Sequence, residues 1–229
     1  MMIKKQNYLK HAIVLFLLLL LMQPERAWAA YENVEFSSLT NHDGLTNSQV
    51  GAILKDTRGY IWFGTQSGLC RFDGFRMKTF YYINTDDKSL PNNSVDELQQ
   101  DYGGNIWVHT SVGYCIYKYD EEQFERKPEE WLKNIHVQGP PYKLLIDKDK
   151  NMWIAVYGQG LYYHNAKTKN TYLFKFTKKA QPGCLKEGNI SKITEVDGDA
   201  LITYGDGTIC RVNGQKQKVL WYNSFLATH

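Results

Sequence analysis

The strongest constraint on this chain is that it repeats itself. Four segments share one set of anchors: residues 47–74, 93–120, 140–165 and 189–214. Asp56, Asp101 and Asp147 each stand six residues before Trp62, Trp107 and Trp153, and Gly68, Gly113 and Gly160 follow six or seven residues after each Trp. In the fourth segment Glu195, Leu201 and Gly207 hold these places. The Trp-to-Trp period is 45, then 46, with 48 to Leu201. A period of this length marks a stacked array, in which each unit buries its apolar faces against its neighbours.

Each unit reads as four strands. In the first, Val50 to Lys55 reads as a strand, and Asp56-Thr57-Arg58-Gly59 is turn chemistry. Tyr60 to Thr65 is the second strand, with Ile61 and Phe63 on one face and Trp62 on the other. Gln66-Ser67-Gly68 turns the chain, Leu69 to Phe72 returns, and Asp73-Gly74 leads into an outer strand over 75–82. An aromatic share of 14% and 18 glycines suit many short strands and tight turns. Four strands in about 45 residues, repeated, predict an all-β chain of β-propeller blades. About four blades are expected, near 36–82, 83–130, 131–177 and 178–222, with the tryptophans packed between blades.

Ahead of the array lies a basic stretch, Met1 to His11, then the apolar run Ala12 to Met22, then Ala27-Trp28-Ala29. This three-part order predicts a secretory signal peptide over 1–29. The apolar run is about half the roughly 20 residues that span a bilayer, which weighs against a membrane anchor. The chain from Ala30 onward is expected beyond the inner membrane, in the periplasm. Lys4, Lys5, Lys10 and Arg26 against Glu25 account for the whole net charge of +3. The remainder is formally neutral, which argues against nucleic acid as a partner.

No cofactor, metal or catalytic residue is singled out. Cys70, Cys115, Cys184 and Cys210 form no CxxC pair. Cys70 and Cys115 hold equivalent places in neighbouring units and read as buried free thiols, whereas a Cys184–Cys210 bridge stays open. His42, His109, His136 and His164 are scattered singly, as surface or loop residues usually are. No pair of carboxylates stands out for glycoside hydrolysis, and no GxSxG or HExxH motif occurs.

Repeat one reads Asp43-Gly44-Leu45-Thr46-Asn47-Ser48-Gln49-Val50, then Asp56, Gly59, Ile61-Trp62-Phe63-Gly64-Thr65, Gly68-Leu69 and Arg71-Phe72-Asp73-Gly74. This pattern resembles the two-component regulator propeller repeat. The resemblance extends over 31–222, nearly complete in the first repeat and weak in the last. It implies the sensor half of a hybrid two-component system: a periplasmic propeller that senses glycan-derived oligosaccharides and relays to a histidine kinase through a phosphorelay. Such sensors are longer, with about fourteen blades, a membrane helix and a kinase. Four blades fall short of the seven that normally close a ring, so a truncated sensor is expected. Its open blade faces would favour self-association, or pairing with further blades or a full-length sensor. The alternatives are a structural or protein-binding module without a small ligand, and a fragment of an exported propeller enzyme such as a glycosidase.

Propellers bind at the end formed by inter-blade loops and second-to-third-strand turns. The candidates there are Asn47, Gln66, Asn92, Asn93, Ser111, Tyr157 and Gln159. Amides and hydroxyls match sugar hydroxyls, and Tyr offers a stacking face. Ordinary solvated loop residues are the plain alternative, and Asn47 and Asn92 suit the turn into a first strand.

Overall fold

The computed structural model describes residues 38–178 and 184–223. The predicted signal segment 1–29 lies outside these residues, as does the start of the first expected blade. The described residues from Leu39 onward form one compact unit. Four antiparallel sheets follow one another along the chain. The first is β1 (Val50–Lys55), β2 (Ile61–Thr65), β3 (Gly68–Phe72) and β4 (Met77–Phe80). The second is β5 (Val95–Gln100), β6 (Ile106–Thr110), β7 (Gly113–Lys118) and β8 (Gln123–Glu125). The third is β9 (Pro141–Ile146), β10 (Met152–Val156), β11 (Gly160–His164) and β12 (Thr171–Thr177). Here β13 (Leu185–Lys186) adds a fifth, parallel strand to β12. The last is β14 (Ile190–Val196), β15 (Asp199–Tyr204), β16 (Ile209–Asn213) and β17 (Lys218–Asn223).

These sheets are propeller blades. Their first strands, β1, β5, β9 and β14, lie side by side in chain order and line one cavity of about 330 Å³. In each blade β2-type strands alternate faces, so Trp62 points to the second blade while Phe63 points away from it. Trp62 is buried with Leu69, Val95, Ile106, Cys115 and Tyr117. Trp107 is buried with Leu144, Met152 and Ile154 of the third blade, and Trp153 with Ile190, Ile202 and Val212 of the fourth. The expected role of the tryptophans between blades is thus met.

The six-residue spacing has a direct physical cause. Asp56 Oδ1 accepts the turn N–H groups of Arg58 (2.9 Å) and Tyr60 (3.0 Å), and Oδ2 accepts the indole N–H of Trp62 at 2.7 Å. Tyr119 of the second blade donates to the same oxygen. Asp101 repeats the pattern with Gly103 N, Asn105 N and Trp107 Nε1, and Asp147 with Asn151 N and Trp153 Nε1. One carboxylate therefore closes the β1–β2 type turn and fixes the rotamer of the inter-blade tryptophan. In blade four both halves are gone together. Glu195 reaches across to the backbone N–H (2.8 Å) and ammonium (3.1 Å) of Lys148 in the third blade, and Asp199 binds Arg211 Nε at 2.6 Å instead.

The structure departs from the sequence reading in places. The outer strand expected over 75–82 is Met77–Phe80 only. Asp73 Oδ1 accepts the N–H groups of Phe75 and Arg76 and holds them in the turn. A short helix α1 (Pro128–Leu132) and a 3-10 turn (Lys133–Ile135) precede β9, burying Leu132 and Ile135 in the cluster between blades two and three. All four cysteines are free, Cys70, Cys115 and Cys210 being buried. Burial pushes the Cys210 thiol up to about 12.

His164 is a correction. It is not a loop residue but the last residue of β11, and only 1% exposed. The Thr171 hydroxyl gives its proton to Ile135 O at 2.5 Å, so its oxygen accepts from His164 Nδ1–H at 2.9 Å. That fixes the tautomer and leaves Nε2 a buried acceptor with no partner. Burial first, then Lys169 and His136, hold the imidazole below its ordinary 6.5. The fold thus stabilises the neutral ring. This contribution is complete above pH 6.5 and is lost as pH falls through the lower folded value. Melting measured at pH 7.5 and pH 5 should show a larger acid loss in the native chain than in His164→Gln; equal losses would exclude a buried neutral His164.

Candidate functional site

The β2–β3, β6–β7 and β10–β11 turns and the inter-blade loops share one end of the blades, opposite the Asp–Trp turns. At this end the structure joins five of the seven candidate residues. Asn47 Nδ2 donates to Ser67 Oγ (2.9 Å), and its Oδ1 accepts Gln49 N (2.7 Å). Gln66 Oε1 accepts the Ser94 hydroxyl at 2.9 Å, and Asn92 Oδ1 accepts Ser94 N at 2.8 Å. Asn93 Oδ1 accepts Tyr82 N (2.7 Å), while its carbonyl accepts Gly68 N (2.8 Å). Ser111 N donates to Ser94 O at 3.2 Å. Ser94 is thus the hub that ties the first blade's turn to the second blade's loop, and the sequence reading passed it over.

Tyr157 and Gln159 form a second group on blade three. Tyr157 is 67% exposed, yet its ring stacks on Tyr142 with centroids 3.9 Å apart and planes at 17°. The Tyr142 hydroxyl accepts Ile190 N of blade four at 3.3 Å, and burial raises its phenol above the usual range. Gln159 Nε2 donates to Gln138 O at 2.8 Å, and Gln159 Oε1 accepts the Tyr162 hydroxyl. The Tyr157 ring is therefore held rigid from behind, with one face presented to solvent.

The central cavity is lined by Glu97, Gln99, Lys143 and Lys192 among others. Its polar groups are largely paired with one another. Glu97 accepts the Tyr114 hydroxyl (2.9 Å) and the Lys143 ammonium (3.3 Å). Gln99 bonds Leu144 O and Ile146 N across to blade three. Burial and the Glu97 charge push the Tyr114 phenol far up, so it stays a donor. Among the described residues no group of three or more His, Cys, Asp or Glu side chains could hold a metal ion.

Residues 44–67 match the family model of the two component regulator propeller. One repeat of this propeller type thus lies at residues 44–67. Over 61 residues, 27% of its length, it is 41% identical to "Histidine kinase P4" of Formosa agariphila, and this stretch is 4% of that protein. In fold it is similar to the extracellular domain of the hybrid two component system BT3049 of B. thetaiotaomicron: TM-score 0.58, 23% identity, 82% of this chain and 26% of that one. The extracellular domain of the one component system BT4673 from the same organism gives a TM-score of 0.50 at 16% identity, over 81% of this chain and 26% of that chain. The chain thus spans about a quarter of the length of these two solved chains. Among the described residues no helix is long and apolar enough to cross a membrane.

Proposed function

We propose that this chain is the ligand-sensing propeller region of a hybrid two-component regulator, exported to the periplasm, and that it binds an oligosaccharide without transforming it. The propeller repeat and the stretch similar to a histidine kinase support the sensor reading. The observation that carries the ligand is the Tyr157 ring, exposed on one face and backed by Tyr142. A sugar ring stacks its C–H face on such a platform, and the adjoining Gln159 amide orients it. Tyr142 also bonds to blade four, so a ligand pressed on Tyr157 bears on the contact between blades.

Relay then follows as a population shift. A ligand that prefers one arrangement of paired propellers biases a kinase elsewhere in the protein. Self-association serves that pairing. Calorimetry against a panel of neutral and acidic oligosaccharides tests the reading. Tyr157→Ala should weaken the best binder about tenfold with the melting point unchanged. Unaltered affinity in that variant, or no binder in the panel, would overturn the proposed site.

A further inference from the structure

A second polar groove lies at the other end of the blades. The β11 strand separates the Tyr157–Gln159 turn from the turn at 165–170, so the two are at opposite ends of the third sheet. Between the 165–170 turn and the β16–β17 turn at 214–217 is a groove of about 390 Å³, at the lower end of the range for small-molecule sites. Tyr163 and Tyr172 line it.

The polar groups here are poised rather than consumed. Asn165 spends its Oδ1 on the N–H groups of Lys167 (3.0 Å) and Thr168 (2.9 Å), which aims Nδ2 at the Tyr163 hydroxyl (3.3 Å). Tyr163 is 4% exposed, and burial keeps its phenol protonated. That hydroxyl proton has no acceptor among the described residues. The side-chain amides of Asn170, Gln215 and Gln217 line the groove, exposed to solvent, and make no hydrogen bond to described residues. Gly214 shapes the wall: a Cβ there would stand 2.5 Å from the Tyr163 ring, so only glycine lets the turn close against it.

We propose that this groove binds an uncharged saccharide. Each free amide both donates and accepts, as a hydroxyl does, and the half-buried Tyr172 ring offers an apolar face. Lys167 is the single charge in the lining and no carboxylate joins it, so a cationic ligand finds no counter-charge, while Lys167, Lys169 and Lys216 are exposed and keep their ammonium groups in water beside a neutral ligand. A wholly apolar ligand would strand the amides and the Tyr163 proton. The site is independent of the Tyr157 platform.

Hydrogen–deuterium exchange on the full chain, with cellotetraose, maltotetraose, laminaritetraose, tetragalacturonate and an uncharged Gly-Ser peptide as probes, reads each end separately. Protection of 163–172 and 214–219 by a neutral tetrasaccharide is expected. Affinity at that end should fall roughly tenfold, the weight of one or two hydrogen bonds, in Asn170→Ala/Gln217→Ala and stay constant in Tyr157→Ala. Protection confined to the segment around Tyr157 overturns the groove and spares the sensing end. Equal binding of the peptide or of tetragalacturonate, unaltered affinity in the double variant, or no protection of the groove by any tetrasaccharide also overturns it.

Discussion

Trp62→Ala is expected to remove about 3–5 kcal/mol of stability, a large share of the ~5–15 kcal/mol that holds a typical domain together. The indole is fully buried between the first two blades, with its centroid 5.1 Å from Tyr117 and 5.8 Å from Phe80. Truncation opens a cavity that neither sheet can close, since both are pinned by their own ladders. It also frees the Asp56 oxygen that the indole N–H occupied. Leu201→Ala is the control. Leu201 holds the equivalent position, but it is only half-buried and lies outside the cluster that takes in its neighbours Ala200 and Ile202. Its loss should be much smaller. Urea midpoints at constant m-value compare the two; equal losses would show that the indole is not the key between blades.

Asp101→Ala should cost about 3 kcal/mol or more. The carboxylate is 2% exposed and serves four donors: Gly103 N, Asn105 N, Asn105 Nδ2 and Trp107 Nε1. Alanine leaves them without an acceptor, and each buried orphan carries a desolvation cost of about 1–3 kcal/mol. The Asn105 amide, partly exposed, recovers some of this from water. Asp101→Asn keeps one oxygen for the turn but sets an amide NH₂ against an indole N–H, so an intermediate loss is expected. Thermal melts followed by tryptophan emission check the order alanine, asparagine, native. An asparagine variant as stable as the native chain would mean that the indole bond contributes nothing.

Much of the fold was legible because the repeat supplies four readings of one unit. The β1 strand came out at Val50–Lys55 because the repeat places it directly ahead of the Asp56 turn. The Asp–Trp bond did not, although its spacing was plain, because Asp and Gly already explain the turn without it. Helix α1 offered too little: five residues with Pro128 at the start give no periodicity to read. His164 looked like any lone histidine, since its burial depends on Thr171, Ile135 and the third blade's packing. At the loop end, strand order located the site, but side-chain roles needed coordinates. Asn47 and Asn92 turn their carbonyl oxygens to nearby N–H groups as turn residues do, whereas the exposure of Tyr157 comes from Tyr142, fifteen residues earlier, standing behind it.

The placement of the aspartate has a bearing on how such arrays diversify. In the first three blades its carboxylate, the turn it closes and the indole it steers all sit at the end remote from the Tyr157 platform. Ser94 and Tyr142 at the opposite end also bond across blades, but the side chains of Ser111 and Tyr157 do not, so their substitution leaves the instructions for assembly untouched. A lineage can exchange Ser111 or Tyr157 for another side chain, and so change what is recognised, without renegotiating how one blade seats on the next.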